Sequence, residues 1–267
     1  MHVGRELLKE KNIVITGASG GIGAEIAKLC AARGANLVLL ARSLDKLQQL
    51  QSDLQQKYHV SVDVFQLDVS DTKQVEEVFK QIFDTIGQID ILVNNAGFGI
   101  FREAHKATMD EIKGMFDVNV VGLMACTNMV LPKMRERRSG HIINIASQAG
   151  KIATPKSSVY SATKHAVLGY TNALRMELAD YNVLVTAVNP GPIATNFFDI
   201  ADEQGTYVKN VQRYMLQPEY VASKVVDSML TKTREINLPR WMNMGSVVYV
   251  LFPRLFERLG KRVFNSK

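Results

Sequence analysis

Several features of secreted and membrane-spanning proteins are scarce in this sequence. Cysteine occurs only twice in 267 residues, as Cys30 and Cys126, without the Cys-x-x-Cys spacing of zinc or redox sites. We therefore expect two buried thiols and no disulfide scaffold. No run approaches the roughly 18 consecutive apolar residues that cross a bilayer. Charged residues precede the first apolar run at residue 12, which leaves no room for a secretory signal, so we expect a cytoplasmic protein.

Acidic residues are fewer than basic ones, but the imbalance is local. The net charge is +6, and residues 253–267 alone hold five cations and one acid. Elsewhere charges of both signs mix along helical segments, which disfavours a nucleic-acid partner. The five histidines show no His-x-x-x-His spacing and no grouping with carboxylates, so we expect no metal site.

Short β-branched runs alternate with longer segments of helical periodicity. The predicted strands are residues 12–16, 36–40, 61–67, 89–95, 141–147 and 182–190, with a last strand around 234–239. Strands separated by helices require a parallel sheet covered on both faces. We therefore predict a doubly wound α/β fold, with a three-layer single domain over residues 1–240 and a basic extension over residues 241–267.

A glycine-rich turn follows the first predicted strand. The sequence TGASGGIGAEIA, residues 16–27, stands between that strand and a predicted helix. Glycines at such a turn let the main chain approach a pyrophosphate at the helix N-terminus. The spacing is G-x-x-x-G-x-G, which differs from the commonest dinucleotide fingerprint. Its position between strand and helix nevertheless predicts a dinucleotide site.

The end of the second strand indicates which dinucleotide is preferred. An acidic side chain at this point would bind the ribose 2′-hydroxyl of NAD, but the sequence NLVLLARS has Ala41 and then Arg42. Arg42 can instead bind a 2′-phosphate, in a charge-assisted contact of about 1.5–3 kcal/mol. A solvated arginine at a helix start is the alternative. We predict that NADP(H) is preferred over NAD(H).

A phenol and an ammonium lie one helical turn apart in SSVYSATKHAVLGY, residues 157–170. Tyr160 and Lys164 share a face of the predicted helix, because residues four apart project from the same side. A nearby cation favours the phenolate and so lowers the pKa of a tyrosine. The pair alone proves little, since the composition predicts about 0.5 such pairs by chance.

Further polar motifs follow the later strands, namely NNAG at 94–97, IASQAG at 145–150 and NPGPIAT at 189–195, with FDVNVVG at 116–122 between them. Together with the glycine-rich turn and the Tyr-Lys pair, they make the chain resemble the short-chain dehydrogenase/reductase family in its single-domain branch. The resemblance covers residues 10–240. It implies a Rossmann-like fold and hydride transfer between a nicotinamide and a carbonyl or alcohol.

The resemblance also implies roles for residues at matching positions. Those expected to bind the cofactor are Gly17, Ser19, Gly21, Ile22, Gly23, Arg42, Asp68, Asn95, Ala96, Gly97, Tyr160, Lys164, Pro190, Gly191, Ile193 and Thr195. The expected catalytic residues are Asn119, Ser147, Tyr160 and Lys164. Tyr160 is expected to donate the proton, and Lys164 to stabilise its phenolate. Ser147 is expected to bind the substrate oxygen, and Asn119 to order a water that relays protons.

The substrate is less determined by the sequence. The residues expected to contact an apolar carbonyl or alcohol are Ser147, Tyr160, Gln148, Phe98 and Phe197, with Ile152, Phe198 and Met215 as weaker candidates. Two other functions compete. A non-catalytic dinucleotide sensor or scaffold is disfavoured by the complete catalytic set. A sugar-nucleotide epimerase would need a larger C-terminal domain than the chain after residue 190 supplies.

The extension combines apolar and basic residues. Leu255, Phe256, Leu259 and Phe264 alternate with Arg254, Arg258, Lys261 and Arg262. The favoured interpretation is a helix packed on its own subunit or on a neighbour in a homodimer or homotetramer. The alternative is peripheral attachment to an anionic membrane, which suits a helix with apolar and cationic faces.

Overall fold

A seven-stranded sheet, parallel throughout, organises the chain. The computed structural model describes residues 7–202 and 205–264. The strands are β1 Asn12–Thr16, β2 Asn36–Ala41, β3 Val62–Gln66, β4 Ile91–Asn94, β5 Gly140–Ile145, β6 Val183–Pro190 and β7 Glu235–Leu238, in the spatial order β3-β2-β1-β4-β5-β6-β7. The predicted doubly wound α/β fold is confirmed, and all seven predicted strands form.

Helices connect the strands and continue beyond the last one. They are α1 Gly21–Ala31, α2 Leu44–Tyr58, α3 Thr72–Ile86, α4 Met109–Phe116, α5 Leu123–Glu136, α6 Ser158–Glu177, α7 Phe197–Ala201, α8 Thr206–Val211, α9 Pro218–Ser228, α10 Arg240–Leu251 and α11 Pro253–Phe264. A six-residue π-helical segment, Asp117–Gly122, joins α4 to α5. The predicted extension therefore forms two helices, α10 and α11.

The sheet is buried on both faces because side chains alternate along each strand. In β1, Ile13 and Ile15 pack with α1, α2 and α9 on one face. Val14, between them, packs with α3, α5 and α6 on the other. This arrangement produces three layers and explains why the strands are almost continuously apolar.

Both cysteines belong to this core. Cys30 in α1 and Cys126 in α5 are buried and free, as the sequence analysis predicts. Burial raises the pKa of each thiol to about 12, so neither is a thiolate near neutral pH.

One continuous helix runs from Met109 to Glu136 and contains α4, the π-helical segment and α5. By length and composition alone, it could cross a membrane. Within the fold its α5 part packs on β4 and β5. Cys126, Val130 and Met134 of α5 are buried against α3 and the sheet. These contacts are those of a core helix.

The strand order determines where a ligand can bind. β1 lies between β2 and β4, so the chain leaves β1 toward one edge of the sheet and returns to build the other edge from β4. At such a switch point the loops after the two strands diverge, leaving a crevice beyond their carboxyl ends. The motifs that follow β1, β4, β5 and β6 all meet there.

Candidate active site

A cleft of about 1150 Å³ opens beyond the carboxyl ends of the strands. Its walls come from the turn after β1, the ends of β2 and β3, the loops after β4, β5 and β6, and the helices α6 and α10. This volume lies above the range of about 300–1,000 Å³ of most small-molecule pockets, so the cleft has room for a large ligand.

The turn after β1 brings main chain against main chain. Gly17 has φ +66°, and a Cβ atom there would lie 2.8 Å from Ala96 Cα. A Cβ at Gly23 would lie 2.4 Å from the Gly17 carbonyl oxygen. Glycine is therefore required at both positions, which hold the start of α1 close to the end of β4.

Hydrogen bonds fix this turn to the loop after β4. The Thr16 hydroxyl accepts bonds from the main-chain N–H groups of Asn95 and Ala96, each at 3.0 Å. The Asn95 side chain donates to the carbonyl oxygens of Thr16 and Gly17 at 3.0 and 3.1 Å. The phosphate loop and the adenosine wall predicted from the sequence are thus one rigid unit.

The side chains that line the cleft just after β2 include two cations and no acidic residue. Arg42 is exposed and lines the cleft, together with Ser43 and Lys46 at the start of α2. Gln66 Nε2 donates to the Arg42 carbonyl oxygen at 2.8 Å, which holds this part of the main chain in place. The sequence analysis missed Lys46, whose position beside Arg42 follows from the turn into α2.

Asp68 lies in the cleft wall after β3, with Leu67 and Val69 beside it. Its Oδ1 accepts bonds from the N–H and the hydroxyl of Ser70, at 3.0 and 2.7 Å. Its own N–H donates to Gln74 Oε1 at 2.8 Å. Asp68 is therefore held in a turn in the cleft wall, and its contact with an adenine stays a prediction.

Asn119 occupies the π-helical segment, a rare local geometry that often marks functional sites. Its Oδ1 accepts from the Phe98 N–H at 3.0 Å, and its Nδ2 donates to the Phe98 carbonyl at 2.8 Å and to Thr163 Oγ1 at 3.1 Å. The side chain is buried and thus ties the loop after β4 to α6. The proton-relay water stays a prediction.

Lys164 is buried in α6, and its Nζ donates to the Ile145 carbonyl oxygen at 3.0 Å. Burial lowers the pKa of this ammonium from 10.5 to about 8. The Nζ lies 5.7 Å from the centroid of the Tyr160 ring. The predicted phenol–ammonium pair therefore exists in three dimensions and faces the cleft.

The Tyr160 ring sits in an aromatic cluster. Its centroid is 5.8 Å from that of Phe101 and 5.7 Å from that of Phe197. Phe197 and Phe198 meet edge to face at 5.4 Å. A Cβ atom at Gly99 would lie 2.8 Å from Tyr160 Cδ2 and 2.9 Å from Phe197 Cζ, so the cluster needs a glycine at this position.

Ser147 and Gln148 follow β5 on the same wall. The Ser147 hydroxyl accepts from the Ala149 N–H at 3.0 Å and lies 3.4 Å from the Pro190 carbonyl oxygen. Gln148 Nε2 donates to the Asn189 carbonyl at 2.9 Å. Among the described residues none bonds to the buried Gln148 Oε1, which leaves an acceptor on a residue that lines the cleft.

The loop after β6 passes over the glycine-rich turn. Thr195 Cγ2 lies 3.5 Å from where a Gly21 Cβ would be. The Gly191 N–H donates to the Leu238 carbonyl at 2.6 Å, and a Cβ at Gly191 would lie 2.9 Å from Met242 Sδ. This loop is therefore packed between the phosphate loop and α10.

The cleft collects nearly all of the site residues that the sequence predicts. Asn119 and Gly23 are the exceptions, and both are buried directly behind its wall. Met215, a weaker substrate candidate, is not among the lining residues, because the main chain there pairs Leu216 with Ile193. The lining residues that the sequence analysis missed include Ser43, Lys46, Phe101, Tyr214, Trp241, Met242 and Phe256.

His141 is the one buried histidine of the described residues, and its role is structural. Its Nδ1 accepts from the Leu230 N–H at 3.0 Å, and its Nε2 lies 2.9 Å from Thr186 Oγ1. Burial lowers its pKa to about 4, which keeps the ring neutral. No group of three or more potential metal ligands occurs in residues 7–202 and 205–264.

A comparison with known families agrees with this geometry. The family model for short chain dehydrogenases matches residues 11–205, which span the sheet from β1 through β6 and the Tyr160–Lys164 pair. The chain belongs to the short-chain dehydrogenase family. As a member of that family, it is an oxidoreductase.

Individual relatives of this short-chain dehydrogenase support the assignment. An uncharacterised oxidoreductase of Staphylococcus saprophyticus is 38% identical over 82% of this chain and 89% of its own length. A serine dehydrogenase solved in its closed form with NADP+ is 34% identical, with a TM-score of 0.77 over 84% of this chain and 94% of its own. A family member from Burkholderia phymatum solved with NAD shares the fold, with 24% identity and a TM-score of 0.86 over 93% of this chain and 95% of its own.

Proposed function

We propose that this short-chain dehydrogenase uses NADP(H) to interconvert an apolar carbonyl compound and its alcohol. The observation that carries the proposal is the buried Tyr160–Lys164 pair. It stands in the wall of the same cleft that contains the glycine-rich turn. A non-catalytic dinucleotide sensor would need the turn but not the pair.

The bound nicotinamide would supply or accept the hydride, and the protein's side chains manage the proton. As a carbonyl is reduced, negative charge develops on its oxygen. Tyr160 donates its phenolic proton to that oxygen, and the Ser147 hydroxyl hydrogen-bonds the same atom. In the oxidative direction the phenolate accepts the proton from the alcohol.

Lys164 makes the phenol a usable acid and base. A cation 5.7 Å from the ring centroid favours the phenolate. The hydrogen bond to the Ile145 carbonyl fixes the ammonium at this distance. Burial lowers the pKa of Lys164 to about 8, which is still above neutral, so the ammonium keeps its charge at pH 7.

Arg42 and Lys46 support a preference for NADP(H). Both are exposed cations on the cleft, at the end of β2 where an NAD-specific site carries an acid. A 2′-phosphate gains charge-assisted hydrogen bonds from such a pair. The solved relatives do not decide the preference, since the serine dehydrogenase contains NADP+ and the Burkholderia phymatum protein contains NAD.

Neutralising these cations tests the cofactor preference. In Arg42→Gln/Lys46→Gln, the ratio of kcat/KM for NADPH to that for NADH is expected to fall by about ten- to a hundredfold, since about 1.5–3 kcal/mol of contact is removed. Lys57→Gln is the matched control, because Lys57 is exposed on the same helix and lies outside the cleft lining. A wild-type preference for NADH would contradict the proposal.

The far end of the cleft supports an apolar substrate. Phe98, Phe101, Phe197 and Phe198 line it around the Tyr160 ring. The Ser147 hydroxyl, on the same wall, adds a polar group for the substrate oxygen. Such a site orients a mainly apolar molecule through few polar contacts.

The Tyr160→Phe variant tests the reaction. Oxidation of NADPH in the presence of a panel of apolar ketones and aldehydes should fall by about 10²–10⁴-fold, the usual contribution of a positioned acid. Binding of NADPH, followed by fluorescence titration, should stay close to that of wild type. Tyr220→Phe is the control, because Tyr220 is an exposed phenol of α9. If Tyr160→Phe retained turnover, the proposed mechanism would be wrong.

A further inference from the structure

The outer face of α10 and the start of α11 exposes apolar side chains to an unusual degree. Fifteen large apolar side chains are exposed among the described residues, and eight of them lie within residues 241–255. They are Trp241, Met244, Val247, Val248, Val250, Leu251, Phe252 and Leu255. We call the exposed side chains of residues 240–258 the C-terminal surface.

The side of α10 that faces solvent is not its polar side. Its inner side holds the buried Ser246 and the half-buried Met242 and Tyr249. Lys151 anchors it to the body through Asn243 Oδ1 at 3.2 Å and Glu235 of β7 at 2.6 Å. An ordinary surface helix would turn charged residues outward. Here the outward side is apolar, which marks an interaction surface.

Aromatic contacts hold the C-terminal surface together and join it to the cleft. The rings of Tyr249 and Phe256 meet at 5.3 Å, which connects α10 to α11. Trp241 and Tyr214 meet at 5.9 Å, and both are more than half exposed. Trp241 and Phe256 also line the cleft, so the surface borders its mouth.

The apolar side chains are accompanied by cations. Arg240, Arg254 and Arg258 are exposed. Residues 240–267 contain six cations and a single acid, Glu257, so they carry +5 of the chain's net charge of +6. The side chains of Leu259, Lys261, Arg262 and Phe264, named in the sequence analysis, lie outside the described part.

We propose that the C-terminal surface docks the protein on an anionic lipid membrane. Exposed apolar side chains with three exposed arginines on the same two helices match a bilayer interface that is apolar below and negatively charged above. The twelve residues of α10 are about 18 Å long, too short for a hydrocarbon core of about 30 Å, so the helix lies in the plane of the interface.

A second copy of the chain fits this surface less well. A symmetric dimer places the same patch of each subunit against the other. Two surfaces with three arginines and one acid each, a net charge of +2 within residues 240–258, would then face and repel each other. Anionic headgroups neutralise the same charge without repulsion, which is why the lipid surface is favoured.

Docking would place the mouth of the cleft beside the lipid. Trp241 belongs both to the surface and to the cleft wall, and Phe256 lies in the same wall, so an apolar carbonyl compound could enter directly from the membrane. This step rests on the proposed function, whereas the docking itself does not.

Trp241 reports on docking directly, because it is the single tryptophan of the chain and is 56% exposed. Purified full-length protein is mixed with vesicles of phosphatidylcholine alone or of phosphatidylcholine and phosphatidylglycerol in equal parts. We expect the fluorescence of Trp241 to shift to shorter wavelength and the protein to sediment with the anionic vesicles. The affinity for these vesicles should be at least tenfold higher than for phosphatidylcholine alone. High salt should weaken the binding.

Paired variants locate the contact. Met244→Asp/Leu251→Asp should lower the affinity for anionic vesicles at least tenfold, since it places charge on the outer side of α10. Met109→Asp/Met176→Asp, which changes equally exposed methionines elsewhere, should bind as wild type does. Far-UV circular dichroism and NADPH titration check that each variant is folded.

Three results would overturn the proposal. Wild-type protein could show no Trp241 shift and no sedimentation. The Met109/Met176 pair could weaken binding as much as the Met244/Leu251 pair. Analytical ultracentrifugation could show a dimer that Met244→Asp/Leu251→Asp dissociates, without vesicle binding, which would make the surface an interface between copies. Tyr160→Phe should dock like wild type, so docking and the proposed reaction can fail separately.

Discussion

The glycine-rich end of the cleft is walled by main chain, whereas the end beyond Tyr160 is walled by aromatic rings. At the first end, a Cβ atom added at Gly17 would lie 2.8 Å from the Cα of Ala96. At the second, a Cβ at Gly99 would meet only side chains, those of Tyr160 and Phe197. Backbone cannot yield as a side chain can, so the first end tolerates less change than the second.

This difference suits the two ligands. A dinucleotide pyrophosphate is the same in every reaction and can be bound by fixed N–H groups. A substrate differs from enzyme to enzyme, and rings that meet edge to face can be exchanged one at a time. Lys164 stands between the two ends, beside the Tyr160 ring.

The largest effect is expected for Lys164→Met. Turnover should fall by about 10²–10⁴-fold, because the cation that stabilises the phenolate is lost. At pH 7 the ligand-free variant should nevertheless be more stable than wild type, on the order of 2 kcal/mol, since a buried charge is removed at the cost of one hydrogen bond. Urea unfolding measures this difference.

The pH dependence of that difference has a definite sign. Because burial lowers the pKa of Lys164 from 10.5 to about 8, the folded wild type loses the proton between these values while the unfolded chain keeps it. The free energy of unfolding of the wild type therefore rises with pH across that window. The excess stability of Lys164→Met over wild type should shrink accordingly. A difference that stays constant between about pH 7 and pH 10 would contradict the assignment.

Gly17→Ala should have the next largest effect. A side chain at φ +66° costs about 1–3 kcal/mol, and the contact with Ala96 Cα forces the main chain apart. The Kd for NADPH should rise at least tenfold, and Tm should fall. Gly169→Ala is the matched control, because Gly169 is exposed within α6 and has open space around it, so that variant should be slightly stabilised. Equal NADPH affinity in Gly17→Ala and wild type would show that the glycine-rich end of the cleft is not the less tolerant one.

Gly99→Ala should act on the other end alone. The added methyl displaces the rings of Tyr160 and Phe197, so kcat should fall by about tenfold, as small misplacements of reacting groups do. The Kd for NADPH should be unchanged within twofold, because no contact of the glycine-rich turn is altered. Steady-state kinetics and fluorescence titration check the two halves of this prediction. Loss of cofactor binding would show that the two ends are not independent.

The sheet and the cofactor end were predictable because their signals are local. Val14 and its neighbours in β1 are apolar on both faces, and the glycines after β1 recur at a fixed spacing next to a strand. Lys46, four residues after Arg42, could have been found by asking which cation follows in the first turn of α2. The pairing of Tyr160 with Lys164 followed from helical periodicity.

Trp241 and Phe256 were not predictable as cleft residues. They come from helices far along the chain, and only the packing of α10 beside β7 and the loop after β5 brings them to the cleft. The bonds between Asn119 and Phe98 were equally hidden, because they depend on the π-helical segment. Met215 was misplaced for the same reason, since the bridge between Ile193 and Leu216 decides where that loop runs.

The amino-acid sequence is enough to derive the doubly wound sheet, the glycine-rich turn and the spacing of Tyr160 and Lys164. Periodicity and glycine position act within a few residues, so they can be read along the chain. Three features arise only from tertiary packing: the aromatic end of the cleft, the buried environment that lowers the pKa of Lys164, and the outward apolar side of α10. Each of these features depends on which segments, distant along the chain, pack together, because that packing decides which side chains are buried.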